Sequence, residues 1–174
     1  RLWSAMPVDP ILLDRFNAGD YTGALEESNK AESLSRVLYP QDSHKAGQEL
    51  RLRQEYFFSS ASLQDILRRQ LQQYPDFTSL PDKLAIQLND THPVLAIPEL
   101  MRLLLDEHGL SWDDAWAVVQ QTFAYTNHTV LAEALEKWEI SIFQKLFPRI
   151  FEIVQEIDRR FREELSEAGF HPGK

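Results

Sequence analysis

The sequence predicts a mainly helical chain that contributes one or two short strands to an α/β fold. Long stretches repeat apolar residues at spacings of three and four, the pattern of one helix face, and the longest covers about residues 48–73. The short apolar run at residues 84–88 lies between turn formers, which favours a buried strand over a helix. Hydrophobic residues make up 43% of the 174 residues, which is enough for a core.

The first half of the chain is predicted to hold a few helices and one polar loop. Prolines and the turn formers at residues 17–20 predict an extended segment followed by a turn over residues 7–20. Apolar positions then recur at helical spacing over residues 21–39, enough for one or two helices, and Pro40 ends the pattern. Residues 40–47 are polar, which predicts a mobile surface loop with a candidate functional role before the long helix.

The second half is predicted to combine strands with further helices. A linker at residues 75–81 precedes the strand at residues 84–88, and the helix that follows has Pro98 in its first turn. Ser111 and Asp114 form a variant of the capping box, so the next helix begins at this point.

The remaining pattern predicts a second strand and a long final helix. The strand is expected around residues 123–127, one or two amphipathic turns over residues 131–138, and the helix from about residue 147 to residue 165. Because one short strand cannot satisfy its own backbone hydrogen bonds, it needs neighbours in a sheet. We expect these partner strands to lie outside this chain, in a longer parent sequence.

Composition excludes several classes of protein. A formal net charge of -9 and a pI of about 5.0 argue against a nucleic-acid partner, because the average surface repels phosphate. The sequence contains no cysteine, which rules out disulfides and thiolate sites within it and fits a reducing compartment. No run of about 18 apolar residues and no secretion signal is found, so a cytoplasmic protein without a membrane partner is expected.

Two short segments place polar side chains after apolar stretches and before helices, at residues 87–93 and 124–129. At the carboxyl ends of strands, such side chains would cluster where open α/β sheets bind ligands. Asn, Asp and Thr also cap helices and close turns, and the spacing alone favours this structural interpretation. A metal site of Asp90, His92 and His128 fits the composition, but no short ligand spacing supports it.

A series of strings in the same order and spacing resembles the glycogen, starch and maltodextrin phosphorylases, including the bacterial type. The strings are RLWSA at 1–5, FNAGDY at 16–21, SRVLYP at 35–40, ELRLRQEYFF at 49–58, AIQLNDTHPVLAIPELMR at 85–102 and AYTNHTVLAEALEKW at 124–138. The resemblance implies a GT-B fold, in which two large Rossmann-like domains face a cleft. It also implies that pyridoxal 5'-phosphate serves a parent enzyme that splits α-1,4-glucan with inorganic phosphate into glucose 1-phosphate.

The resemblance further implies which residues meet the sugar. His128 would hydrogen-bond the 6-hydroxyl of the glucosyl unit, while Asp90 and His92 would line the pocket beside it. Asn127 belongs to the same motif and is a further substrate-binding candidate. Directional donors and acceptors of this kind suit sugar hydroxyls.

Three other candidates would lie near the glucan-binding cleft. The resemblance implies that Asp42 lies on a gate loop, here residues 40–47, and that Tyr39 and Arg51 neighbour the cleft. The family usually has Asn on either side of this Asp, whereas Gln41 and Ser43 flank it here.

By the same resemblance, residues 1–174 form a single partial domain, the later part of the amino-terminal domain. The lysine that holds pyridoxal phosphate and the residues that hold substrate phosphate belong to the carboxyl-terminal domain. We therefore expect no catalytic residue and no metal in this chain, no bound cofactor, and no activity of the chain alone.

The parent enzyme is expected to be a homodimer, because residues 29–37 align with the family's intersubunit tower helix. The alternative from a different class is a free-standing helical module that binds glucan or another protein. Binding of maltodextrins by the chain alone would favour that module over half of a sugar pocket.

Overall fold

The computed structural model describes residues 3–170, which form two compact units with a boundary between Ser62 and Leu63. Arg1 and Leu2, part of the first string, lie outside the described residues. The helices are α1 Leu13–Asn17, α2 Tyr21–Ala24, α3 Glu26–Arg36, α4 Lys45–Gln73, α5 Leu80–Lys83, α6 Ala96–Arg102, α7 Trp112–Thr122, α8 Ile140–Leu146 and α9 Pro148–Glu167. The strands are β1 Ile86–Asn89 and β2 Phe123–Thr126.

The mainly helical character and the two short strands are confirmed in the described residues. Two helices, α2 and α3, occupy the region predicted to hold one or two. Ser111 caps α7 as predicted, since its Oγ accepts a hydrogen bond from the Asp114 backbone N–H at 3.2 Å. Pro148 is the first residue of α9, the position at which a missing N–H costs least.

Other predictions were wrong in detail because short elements depend on tertiary contacts. The segment at residues 7–20 contains α1, and the polar loop ends sooner because α4 begins at Lys45. The linker at residues 75–81 leads into α5. Residues 131–138 hold a single turn of 3₁₀ helix, Ala132–Ala134.

Helix α8 was not predicted at all. It is only seven residues long, and such helices are marginal without tertiary packing. Ile142 and Phe143 bury their side chains, whereas Ile140 of the same helix is exposed. Burial of these two residues therefore accounts for a helix that the sequence pattern does not indicate.

The first unit is held by polar contacts between segments far apart in the sequence. Before α1, the Leu12 N–H donates to the Ala24 carbonyl at 2.9 Å. The buried amide of Gln54, on α4, donates to the carbonyls of Leu34 and Val37 at 3.2 and 2.7 Å. These carbonyls belong to the carboxyl end of α3, so Gln54 satisfies groups that a helix terminus leaves without partners.

In the second unit, β1 and β2 pair in parallel with α6 and α7 in the connection between them. The register joins Ile86 to Phe123 and Asn89 to Thr126. A parallel pair needs such a long crossover, and helices commonly provide it. The expectation that the partner strands of β1 lie outside this chain is therefore wrong for β2, the second strand that the sequence predicted.

The core of the second unit consists of apolar side chains from β1 and from the helices that pack around it. Strand β1 provides Leu88, whose relative exposure is 2%. The other buried members come from the end of α4, α5, α6, α7 and α9 and from the π-helical segment Leu103–Glu107: Leu63, Leu67, Leu80, Ala96, Leu100, Met101, Leu103, Leu104, Ala115, Val118, Val119 and Ile153. None of the helices within residues 3–170 is both long enough and apolar enough to cross a membrane.

A buried ion pair lies in α6. The Glu99 side chain is fully buried, and the Arg102 guanidinium donates to both of its carboxylate oxygens at 2.8 and 2.9 Å. Arg102 also donates to Glu107 at 2.9 Å. A carboxylate deprived of its cation inside a core is costly, so Arg102 stabilises the packing of α6.

Replacing Arg102 with Met should lower the free energy of unfolding by about 3 kcal/mol, because Glu99 would keep a buried charge without this partner. Urea unfolding followed by circular dichroism measures the change. Arg162→Met is the matched control, since Arg162 pairs with Asp158 on the exposed side of α9 and should matter little. Equal losses in the two variants would contradict this account.

A second ion pair joins α9 to the π-helical segment. Arg149 donates to both carboxylate oxygens of Asp106 at 2.8 and 2.7 Å. These hydrogen bonds lower the pKa of Asp106 below its ordinary value of 3.8. The pair therefore contributes stability while Asp106 is ionised.

The contribution of this pair should depend on pH in a defined direction. A lowered carboxylate pKa adds stability that is complete above the ordinary pKa and is lost as the pH falls through the lowered value. We expect Asp106→Asn to destabilise the chain at pH 7, and the difference from wild type to shrink below pH 3.8. Urea unfolding at several pH values provides the measurement, and a difference that grows on acidification would contradict the sign.

Candidate functional site

The two predicted polar segments meet at one edge of the sheet. Strand β1 ends at Asn89 and β2 ends at Thr126, and these residues are partners in the parallel register. The Asp90 N–H donates to the Thr126 carbonyl at 2.9 Å, which continues the pairing one residue past β1. The residues that follow the two strands therefore start from neighbouring positions, as the sequence predicted for parallel strands.

Asp90 turns the chain out of β1. Its φ of 68° lies in the left-handed region, which Asp tolerates better than most residues because its side chain can hydrogen-bond locally. Here Asp90 Oδ1 accepts a hydrogen bond from the Thr91 backbone N–H at 2.8 Å. Asp90 thus has a structural function, because it stabilises the turn that follows β1.

The second polar segment is also held by its own side chains. Asn127 Oδ1 accepts from the Thr129 N–H at 3.1 Å, and Asn127 Nδ2 donates to the Thr129 carbonyl at 2.9 Å. Thr129 Oγ1 in turn accepts from the Leu131 N–H at 3.1 Å. These bonds fix the backbone on either side of His128.

His128 is exposed at this edge, and its Nε2 forms a hydrogen bond with Asn89 Oδ1. Asn89 was not among the candidate residues. Its position could have indicated a role in the site, because Asn89 is the last residue of β1 and pairs with Thr126 just before the segment that carries His128. His92 is also exposed and lies two residues after Asp90.

Tyr39, Asp42 and Arg51 come together in the first unit. The Arg51 side chain is buried, and its Cζ lies 4.3 Å from the centre of the Tyr39 ring. Its Nη1 is 3.7 Å from Asp42 Oδ2, and its Nε is 3.4 Å from Glu55 Oε1. The carboxylates and the ring face balance the charge of the buried guanidinium.

The polar loop before α4 packs closely against the start of that helix. A Cβ atom on Gly47 would lie 2.0 Å from the Gln41 carbonyl oxygen, so only glycine permits this approach. His44 Nδ1 accepts a hydrogen bond from the Gly47 N–H at 3.0 Å, in the manner of a helix N-cap. This function of His44 was not predicted, because His is an uncommon helix cap.

The described residues do not form a metal centre. Within residues 3–170, no group of three His, Asp or Glu side chains lies close enough to hold a metal ion. The metal site considered from the composition, with Asp90, His92 and His128 as ligands, is therefore not formed in the described residues.

The lysines do not fit a covalent cofactor site either. Every lysine that the structure describes has an exposed side chain; these are Lys30, Lys45, Lys83, Lys137 and Lys145. A Schiff base with an aldehyde cofactor calls for a lysine held within a site that orients the cofactor. The described part of this chain does not provide such a lysine.

Comparison with known proteins identifies the class to which this fold and site belong. The model of the carbohydrate phosphorylase family matches residues 1–172, so the chain belongs to that family. The resemblance drawn from the sequence strings is thereby confirmed.

Individual relatives are similar over nearly the whole chain. Glycogen phosphorylase 2 of Dictyostelium discoideum is 53% identical over 161 residues, which cover 92% of this chain and 16% of the relative. The brain form of human glycogen phosphorylase is 50% identical over 99% of this chain and 21% of its own length. The H isozyme of alpha-glucan phosphorylase from Triticum aestivum is 52% identical over 94% of this chain and 20% of its own length. The chain thus spans about a fifth of these relatives.

The turn at Asp90 provides a test of its structural function. Asp90→Ala should lower the free energy of unfolding by about 2 kcal/mol, because it removes an acceptor and places Ala at a positive φ. Asp90→Asn keeps both the acceptor and the tolerance of this conformation, so its stability should stay near that of wild type. Urea unfolding compares the two variants, and equal destabilisation by both would show that the charge, rather than the turn, matters.

Proposed function

We propose that this chain is part of an α-glucan phosphorylase and supplies one wall of its sugar-binding site. The observation that carries the proposal is the parallel pairing of β1 with β2, since it brings the exposed His128 beside the end of β1. In open α/β folds, ligands bind beyond the carboxyl ends of the strands. The remaining walls of the site would come from polypeptide beyond these residues.

The reaction of the whole enzyme is the phosphorolysis of α-1,4-glucan to glucose 1-phosphate. The names of the relatives support this proposal, since they are glycogen and alpha-glucan phosphorylases. Inorganic phosphate is then the second substrate. The chain's formal charge of -9 is consistent with the proposal that nucleic acid is not a partner.

His128 is proposed to bind the 6-hydroxyl of the glucosyl unit. An exposed imidazole can donate from one ring nitrogen and accept at the other, which suits a hydroxyl group. Asp90, His92 and Asn127 lie on the same two segments and are proposed to line the pocket beside it. The hydrogen bonds of Asp90 and Asn127 within their turns would hold the pocket in shape before sugar arrives.

Asp42, Tyr39 and Arg51 are proposed to neighbour the glucan. Asp42 and Tyr39 are exposed, so both can meet a ligand, whereas Arg51 is buried beneath them. In this arrangement Arg51 orients the other two side chains through its charge and its contact with the ring.

Pyridoxal 5'-phosphate is the proposed cofactor of the whole enzyme. The lysines within residues 3–170 are exposed and give no site for its Schiff base, so the residues that hold it would lie outside that described part. The chain alone is proposed to hold no catalytic residue and to be inactive.

The whole enzyme is further proposed to be a homodimer and to be located in the cytoplasm. Helix α3 has no fully buried residue, and its charged face with Glu26, Glu27 and Lys30 is exposed, so this face can meet a second subunit. The lack of cysteine is consistent with a reducing compartment.

An assay of glucose 1-phosphate release tests this function. The substrates are maltoheptaose and phosphate, and the protein is the full-length polypeptide that contains these residues, reconstituted with pyridoxal phosphate. We expect turnover by that polypeptide and none by the 174-residue chain. His128→Ala should lower kcat/KM roughly 10- to 100-fold, because a sugar hydroxyl loses its partner.

His108→Ala is the matched control, because His108 is also exposed but belongs to neither polar segment, and its ring contacts Phe77. Its kcat/KM should equal that of wild type. Equal activity of the His128 and His108 variants would remove His128 from the site. Strong maltodextrin binding by the chain alone in calorimetry would instead favour a free-standing glucan-binding module.

A further inference from the structure

We infer that Asn89 is a positioning residue that fixes the tautomer of His128, so that the imidazole presents Nδ1 as a hydrogen-bond acceptor to the ligand. This inference rests on the proposed function for its ligand, a sugar hydroxyl, but the hydrogen bond between Asn89 and His128 is a property of the chain itself. Asn89 touches the imidazole and acts on the sugar only through it.

The backbone places Asn89 independently of any ligand. Side chains alternate along a strand, so Ile86 and Leu88 of β1 face one side while Gln87 and Asn89 face the other. Leu88 is buried in the core, which directs Asn89 to the opposite, polar face. The register then sets Asn89 beside Thr126, two residues before His128.

A second cross-strand bond on the same face supports this register. Gln87 Nε2 donates to Thr126 Oγ1 at 2.6 Å. Gln87 and Thr126 lie two positions apart in the register, and their contact does not involve the His128 ring. The positions of Asn89 and His128 therefore follow from the backbone pairing of β1 with β2, with which this contact agrees.

The chemistry of the two side chains assigns the proton. An amide oxygen only accepts hydrogen bonds, so Nε2 must carry the hydrogen that is shared with Asn89 Oδ1. A neutral imidazole has one donor and one acceptor, which leaves the lone pair on Nδ1. A ligand hydroxyl at this nitrogen would donate its hydrogen, so a ligand methylated at that oxygen would lose the interaction.

Nuclear magnetic resonance of the 174-residue chain labelled with ¹⁵N-histidine tests the inference without any sugar. Correlations from the ring carbons to both nitrogens report the tautomer at a pH where the imidazole is neutral, and His128→Asn assigns the signals. We expect the Nε2–H form for His128, with a ring N–H that exchanges with water roughly tenfold more slowly than that of the exposed His92. The Nδ1–H form at His128 would overturn the inference.

Two variants of Asn89 distinguish the effect of its hydrogen bond to His128 from the effect of its side-chain volume. Asn89→Leu keeps a similar volume without an acceptor, so the slow exchange should be lost and the tautomer ratio should approach that of His92. Asn89→Asp keeps an oxygen acceptor and should retain the Nε2–H form. Gln87→Leu is the control, because it removes the other cross-strand bond and should leave the His128 ring unchanged.

The outcomes also separate this inference from the proposed function. If Asn89→Leu leaves the His128 ring unchanged while its backbone amide spectrum stays native, Asn89 does not position His128. If that variant fails to fold, retention of the slow ring N–H in Asn89→Asp supports the inference and its loss overturns it. Failure of the full-length enzyme to release glucose 1-phosphate would refute the sugar ligand alone, because the ring measurements involve no sugar.

Discussion

The parallel pairing of β1 with β2 is the constraint on which the candidate site depends. A slip of one residue in the register would turn Leu88 out of the core and direct Asn89 into it. Burial of Leu88 on one face therefore fixes which polar groups appear on the other. The hydrogen bond between Asn89 and His128 depends on this register, which places Asn89 opposite Thr126.

Buried polar groups are used in both units to hold helix ends and loops. Gln54 satisfies carbonyls at the end of α3, and Arg51 lies beneath the loop that carries Asp42. In the second unit, Arg102 neutralises Glu99 within α6. Each group would be costly if it lost its partners, so these contacts restrict the conformations open to the segments that they join.

The polar segments lie within the stretch that the carbohydrate phosphorylase family model matches. Family proteins share this stretch at about half identity over nearly all of the chain, although it is only about a fifth of their length. The arrangement of Asp90 and Asn127 also shows that a structural and a binding interpretation are compatible. Both side chains accept hydrogen bonds from nearby backbone N–H groups, so each holds its own polar segment in shape.

The sequence by itself determined the long amphipathic helices, the cap at Ser111, the first strand and the family. Apolar periodicity, caps and ordered strings are properties of residues close together in the chain, and they remain visible before folding. Only the tertiary structure decided that β2 pairs with β1 and that α8 forms. It also decided that Asn89 meets His128 across a separation of 39 residues. Such contacts depend on register and on burial of distant apolar groups, which no local pattern of residues encodes.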